Sequence, residues 1–537
     1  MKNGMIVAPQ PEAVEAGAKV LMNGGNAVDA ALTCALVQGV VDPSMCGIAG
    51  FGSMQVYMPG RGVHQFIDFH GRAPAAARPD MWADRIVGET PDGFGFILRD
   101  NVNDIGYQSI TVPGRLRAYH EAQLAYGTFA WSKVVQPAIA HAESGFIVRP
   151  HVYNWWTDPT QERFGRVSPE KRLAFSKTGR TAYFDAQGKV IRPGERVRIP
   201  DMARSLQRIA EGGADVFYRG DLGAEADRDL RAHGALLCAK DLEDYRTTKL
   251  DPLWGSYRGH RIATNHPPGG GIMLLEMLAI LEHFDLVALG HNSTEYIRVV
   301  AEAMKCATSD KDQYVGDPAF FDVPVSQLLD RERARGIAER IREGAVFHVE
   351  RIAFKAESEH TTHISVIDRD GNAVTMTHTL GMPSGVITDG HGFMYNGSMG
   401  VFDPRPGRAG SIAAGKGRFS SICPTIIFKD DKPVMVVGAP GGTQIAMGVL
   451  QAILNFIDFG MSPQDAVSAP RFSATSDAID ISNRIPDYMV LPLRERGYTV
   501  NRSFLSYTFA WVHALGLYQG KWCGGADPAT DGMPLEV

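Results

Sequence analysis

Apolar positions recur along this chain with two different periods, and the changes between them mark most of its elements. From Pro11 to Met22 the apolar positions Val14, Ala18 and Leu21 keep helical spacing and the run stops at Asn23-Gly24-Gly25, a helix with a glycine stop. Asn26 stands where an N-cap belongs and opens a second, largely apolar helix, Ala27 to Val41. Phe51 to Met58 and Val63 to Phe69 then predict two short strands, the second leading into His70-Gly71-Arg72-Ala73-Pro74-Ala75. Helices are expected from Pro113 to Tyr126 and from Ser132 to Ser144, followed by an irregular stretch, 146 to 199, in which the adjacent Trp155 and Trp156 are expected to be packing residues. Helical periods dominate from Asp201. Pro267-Pro268-Gly269-Gly270-Gly271 precedes an apolar helix to Phe284, and without a following Lys and Ser/Thr these glycines read as a tight turn, not a phosphate loop. Charge density rises from Asp330 to Arg342, a solvated helix, and continues to Glu359 as an expected mobile lead-in to Thr361.

From Thr361 the period becomes that of strands. Thr361 to Asp368 and Ala373 to Leu380 are rich in Thr, Ile and Val, and Arg369-Asp370-Gly371-Asn372 separates them, so they read as a β-hairpin. A two-residue Asp370-Gly371 loop would put Thr379 on the face opposite Thr361. A three-residue loop, with Asp368 opening a type I turn and Gly371 in the left-handed position, pairs Thr361 with Thr379. The second register uses Asp and Gly where that turn wants them and is the one expected. Further strands are expected at Gly392 to Ser398, Ser421 to Phe428 and Pro433 to Ala439, with a late hairpin around Gly520; one long apolar helix, Thr443 to Phe459, interrupts them. Strands gathered toward both ends with helices between them suit an α+β fold of two sheets between helical layers, an αββα sandwich.

Composition narrows the class of protein without naming a reaction. Hydrophobic content of 44%, charged content of 21% and a net charge of -6 over 537 residues describe an ordinary soluble chain, and the weak negative balance argues against nucleic acid as a partner. No stretch of 18 apolar residues suggests a membrane span. The opening Met1 to Pro9 is too short and broken to be a signal-peptide core, and six scattered cysteines show no metal or redox spacing, so a reduced, cytoplasmic protein is the expectation. His360 and His363 are three apart on a strand, where they point to opposite faces, so they are not expected to hold a metal.

The run Thr361-Thr362-His363-x-Ser365-Val366-x-Asp368, continued through Gly371-Asn372-Ala373-Val374 to Thr379, resembles the processing site of the γ-glutamyltransferase family. Gly25 to Ala31 and Val112-Pro113-Gly114 resemble other parts of the same family. The resemblance implies an N-terminal-nucleophile hydrolase whose precursor cuts itself between His360 and Thr361. A large segment, 1–360, and a small one, 361–537, would then form one compact domain and stay associated. A terminal Thr suits this role because its own α-amine, with a pKa near 8, supplies the base that a hydroxyl nucleophile needs. By the same resemblance Thr379 bonds the nucleophile, Gly441 and Gly442 hold the oxyanion, and Ser420 and Ser421 hold the carboxylate end of the substrate. The glycine pair lies in Gly438 to Thr443, between a strand and the start of a helix, where exposed amides and the helix dipole favour a developing negative charge. No cofactor and no metal are implied.

Three departures from the family pattern point to a different substrate. His70 stands where an Arg would grip the substrate α-carboxylate. The stretch Asn396 to Met399 continues Gly400-Val401 in place of paired aspartates, and Gly381 replaces an Asn. An ammonium group brought into a pocket without a carboxylate loses its compensation, so glutathione is expected to be a poor substrate. Arg72, on the same strand face as His70, is the expected replacement grip for another acid. The expected substrate is a small amide acid such as oxamate. A genuine γ-glutamyltransferase and an unprocessed binding relative remain as alternatives, and homo-oligomerisation is left open.

Overall fold

Two antiparallel sheets, stacked face to face, carry the fold. The computed structural model describes every residue except 91, 92, 94, 160, 161, 163–165 and 351–360. The expected mobile lead-in to Thr361, and His360 with it, therefore lie largely outside the described residues. The strands of the sandwich are β1 (Gly4–Ala8), β2 (Phe51–Met58), β3 (Val63–Phe69), β4 (Thr248–Leu250), β5 (Leu253–Tyr257), β6 (His260–Thr264), β7 (Thr362–Asp368), β8 (Ala373–Thr379), β9 (Thr425–Lys429), β10 (Lys432–Gly438), β11 (His513–Tyr518), β12 (Lys521–Ala526) and β13 (Met533–Glu536). The first sheet runs β13-β1-β7-β8-β2-β3-β4 and the second β12-β11-β10-β9-β6-β5. Each sheet thus mixes strands from either side of position 361.

Helices cover both outer faces. On the first sheet lie α1 (Pro11–Met22), α2 (Ala27–Val41), α3 (Arg115–Tyr126), α4 (Trp131–Ser144) and α5 (Pro200–Gly212). On the second lie α6 (Gly271–Leu281), α7 (Thr294–Tyr314), α8 (Arg331–Arg342) and α9 (Ile445–Ile457). All residues of α2 are buried, because it is largely apolar and is packed between α1, α4 and the strands β7 and β8. A thinner core of Val7, Ile367, Ile426, Val436 and Leu515 fills the space between the sheets. The result is an α+β, αββα sandwich. Among the described residues no helix is long and apolar enough to cross a membrane.

The helices α1 and α2 and the strands β2 and β3 have the bounds that periodicity predicts, β1 is not predicted by it, and Asp330 caps α8 by accepting the Arg333 amide at 2.8 Å. Two expected strands differ. Gly392 to Ser398 forms only isolated bridges, since the Asn396 side chain bonds the backbone of Ala49 and Thr111 and so takes the place of a ladder. The strand expected from Ser421 begins only at Thr425, after Pro424, which has no amide to give a ladder. The irregular stretch contains short helices, Pro150–Trp156, Pro169–Leu173 and Lys177–Tyr183. Both tryptophans there are buried packing residues, the Trp156 indole donating to Ser44 Oγ at 3.1 Å.

Candidate active site

The site is set by a turn. The Asp368 carbonyl accepts the Gly371 amide at 3.1 Å, and Gly371 has φ 77°, the left-handed conformation of a three-residue loop. The Asp368 carboxylate accepts the amides of Asp370 and Asn372 at 2.9 and 3.0 Å, and it also accepts the Ala27 amide at 2.9 Å. Asn26 and Asp29 form a capping box at the same helix start, and Asp29 reaches on to Gln123, Thr128 and Phe129. One end of α2 and the hairpin turn are therefore a single unit.

That turn sends the pairing Ile367 with Ala373 down the hairpin to Thr362 with His378. The next position brings Thr361 opposite Thr379, in the register expected from the turn. Their Oγ1 atoms are 3.4 Å apart, and Thr379 Oγ1 accepts the Gly381 amide at 2.7 Å. Gly381 has φ 68°, and a Cβ there would lie 2.2 Å from Ser398 Oγ, so a side chain at this position would have to displace that hydroxyl.

A polar network braces the residues beside the threonine pair. Gln38 donates to Thr362 Oγ1 at 2.9 Å and to Gln10 at 2.6 Å, while Gln10 donates to Asp42 at 2.8 Å. The Gln38 carbonyl meets His378 Nε2 at 2.9 Å; His378 Nδ1 meets the Tyr119 hydroxyl at 2.9 Å, and Arg115 Nε bonds Tyr119 in turn. Burial, then the charge of Arg115, hold the His378 ring well below the ordinary imidazole pKa, so it is neutral. It donates through Nε2 and accepts through Nδ1. His363, the other histidine of the hairpin, sits between Thr377 Oγ1 and Ser365 Oγ at 2.9 Å from each.

Thr361 opens onto a small cleft whose wall includes Gly381, Val401, Arg418, Ser420, Ser421 and Gly442. Gly442 belongs to a short turn, Gly442–Gln444, that runs into α9, and the first amides of a helix have no partner within it. Gly441 has φ 143°, and a Cβ on it would come within 2.5 Å of Ala510, so only glycine fits.

Ser420 and Ser421 reach the cleft on an extended segment clamped from two sides. Ala73 donates to the Lys416 carbonyl at 2.8 Å, and the Ser420 amide donates to the Pro268 carbonyl at 2.8 Å. The Lys416 ammonium turns away to the carbonyls of Ala409 and Ser411. Arg418, two residues before Ser420, turns into the cleft; it is 3% exposed, and its guanidinium stacks 4.8 Å over the Phe51 ring. Burial, and then the neighbouring Arg166 charge, pull its pKa down to about 9. Sequence reasoning missed this residue. The available signal was alternation, which puts 418 and 420 on one side of an extended chain.

The two residues expected to grip the substrate acid do not line the cleft. His70 is buried, its Nδ1 held by Asp68 and its carbonyl by the Tyr245 hydroxyl at 2.9 Å. Arg72 lies beyond it, 3.5 Å from the Gly415 carbonyl, 3.4 Å from Thr248 Oγ1 and 3.8 Å from Asp317. The chain bends after β3 to bridge Val112 and Gly417 at Arg72.

Comparison with known proteins adds chemistry to this geometry. The family model described as Gamma-glutamyltranspeptidase matches residues 13–537. Acylase ACY 1 proenzyme of Pseudomonas sp. (strain SE83) is 37% identical over 99% of this chain and 93% of its own length. Glutathione hydrolase proenzyme of Bacillus subtilis (strain 168) is 32% identical over 100% of this chain and 92% of its own. Among solved structures, cephalosporin acylase from Bacillus halodurans superimposes with a TM-score of 0.87 at 28% identity, covering 99% of this chain and 96% of that one. With a match that runs through both sheets and through the threonine pair alike, the chain belongs to the gamma-glutamyltranspeptidase family and is an amide-cleaving enzyme of the N-terminal-nucleophile hydrolase class.

Proposed function

We propose that the chain cuts itself between His360 and Thr361 and then hydrolyses a small amide acid, of which oxamate is the simplest, through an acyl-enzyme on Thr361. The observation that carries this reading is the Thr361–Thr379 hydroxyl pair in the wall of a cleft that also includes Gly442. The new α-amine of Thr361 takes the proton of its hydroxyl, and Oγ1 bonds to the substrate carbonyl carbon. Gly441 and Gly442 amides hold the resulting oxyanion at the positive end of α9. Collapse breaks the C–N bond as the proton passes from the α-ammonium to the leaving nitrogen. Water then attacks the ester, releasing the acid and restoring the hydroxyl. Ser420 and Ser421 serve as donors to the substrate, and the large and small segments stay together because each sheet needs strands of both.

Two features support a small acid over a γ-glutamyl group. Val401 and Gly381 stand in the wall, and no carboxylate lines the cleft among the described residues, so a substrate ammonium would be buried without a counter-charge. The relatives named glutathione hydrolase, at 32% identity over the whole chain, keep glutathione as the second reading, and the named acylase points to a longer acyl chain. Steady-state assays with oxamate, glutathione and a glutaryl amide separate the three. Oxamate turnover well above that of glutathione is expected; efficient glutathione turnover removes the small-acid reading. Thr361→Ala is expected to leave one band on a denaturing gel and to abolish turnover.

A further inference from the structure

We propose that Arg418 is the receptor for a carboxylate on the acyl part of the substrate, so that the enzyme selects amides of short dicarboxylic acids. This rests on the reaction proposed above and adds what the cleft recognises. The buried arginines differ in what they meet. Arg115 bonds Tyr119 and two carbonyls; Arg172 and Arg166 meet Asp104; Arg298 meets Glu295; Arg471 meets Asp527. Arg418 is as buried as these, yet among the described residues its Nε and Nη1 have no hydrogen-bond partner, and its guanidinium rests on the face of Phe51.

The neighbouring carboxylates are committed elsewhere. Asp104 serves Arg166 and Arg172, and Asp317 accepts the Gly417 amide at 2.6 Å and faces Arg72. A buried cation without an anion is costly unless something else supplies the charge. Arg418 lines the same cleft as Thr361, so an anionic group of a bound molecule is placed to supply that charge. Its backbone is held firmly enough for recognition, with Gly417 tied to Asp317 and Ser420 to Pro268. The enclosed space of the cleft is small, about 20 Å³, which favours a short chain between that carboxylate and the carbonyl at Thr361.

The test compares oxamate, malonamate and succinamate with the neutral amides acetamide, propionamide and butyramide, by ammonia release from the processed wild-type enzyme and from Arg418→Gln and Arg418→Lys. The wild type is expected to prefer each acid amide over its neutral partner. Arg418→Gln is expected to lower that preference by roughly 10-fold to 100-fold, chiefly through KM, and to weaken inhibition by malonate and succinate alike. Arg418→Lys, which keeps the charge without the fork, is expected to fall between. Appearance of two bands on a denaturing gel reports that each variant folds and processes. A wild-type enzyme that turns over neutral and acid amides equally overturns the proposal without any variant, as does an unchanged preference in a processed Arg418→Gln enzyme. If Thr361 proves essential while this preference is missing, only the carboxylate assignment fails; if Thr361→Ala keeps turnover, the reaction itself was misread.

Discussion

Thr379 Oγ1 accepts both the Gly381 amide at 2.7 Å and the Thr361 hydroxyl at 3.4 Å, so it orients the hydroxyl of the residue read as the nucleophile. Thr379→Val keeps the shape and deletes the hydroxyl; kcat is expected to fall by roughly 100-fold in steady-state assays, with processing followed separately on gels. Asp42 offers a second, independent residue-scale test. Burial, with the Asp531 charge adding to it, raises its pKa from 3.8 to about 7, against the Gln10 hydrogen bond, which lowers it. The folded state therefore binds this proton more tightly than the unfolded chain does, and the contribution to stability declines as pH rises from about 4 through about 7. Asp42→Asn removes the ionisation. Its Tm is expected to match the wild type near pH 4 and to exceed it above pH 7, by at most about 4 kcal/mol of stability. Equal Tm values at both pH extremes would contradict the assignment. At this scale the turn pattern set Thr361 opposite Thr379, and resemblance to the family marked that pair and the glycines Gly441 and Gly442 as candidates. Sequence reasoning missed Arg418, because which side of an extended segment faces the cleft depends on clamps at Ala73 and Pro268, far away in the chain.

The hairpin is the element on which the threonine pair depends. Its register was legible because the turn chemistry is local: Asp368 and Gly371 meet the demands of one loop type within a few residues. The expected strand at Gly392 to Ser398 was not legible, because Asn396 satisfies backbone groups of Ala49 and Thr111 that no local rule connects to it. Asp368→Ala removes acceptors from Ala27, Asp370 and Asn372 together, and is expected to lower Tm at a cost of about 2 to 4 kcal/mol and to slow self-cleavage. Gly371→Ala keeps those acceptors and strains only φ, so about 1 kcal/mol is expected. Scanning calorimetry on Thr361→Ala backgrounds, where both variants stay uncut, measures the two costs free of processing. A larger loss from Gly371→Ala than from Asp368→Ala would mean that backbone strain, not the link to α2, governs the hairpin.

Across the whole molecule, β1 lies between β13 and β7, β8 lies beside β2, and β6 lies beside β9, so strands from before and after Thr361 pair directly in both sheets. Separating the two segments would expose the edges and faces of each. After processing, both pieces are expected to elute as one species in native size exclusion and to part only in denaturant; separate native elution would refute a shared sandwich. Sequence by itself determined the helix and strand periods and the turn that opposes Thr361 to Thr379, because each follows from steric and hydrogen-bonding rules acting over a few neighbouring residues. Only the tertiary structure decided that His70 and Arg72 stay outside the cleft and that Arg418 enters it. Those outcomes depend on bridges between segments far apart in the chain, whose relative positions are set by burying both faces of two sheets at once.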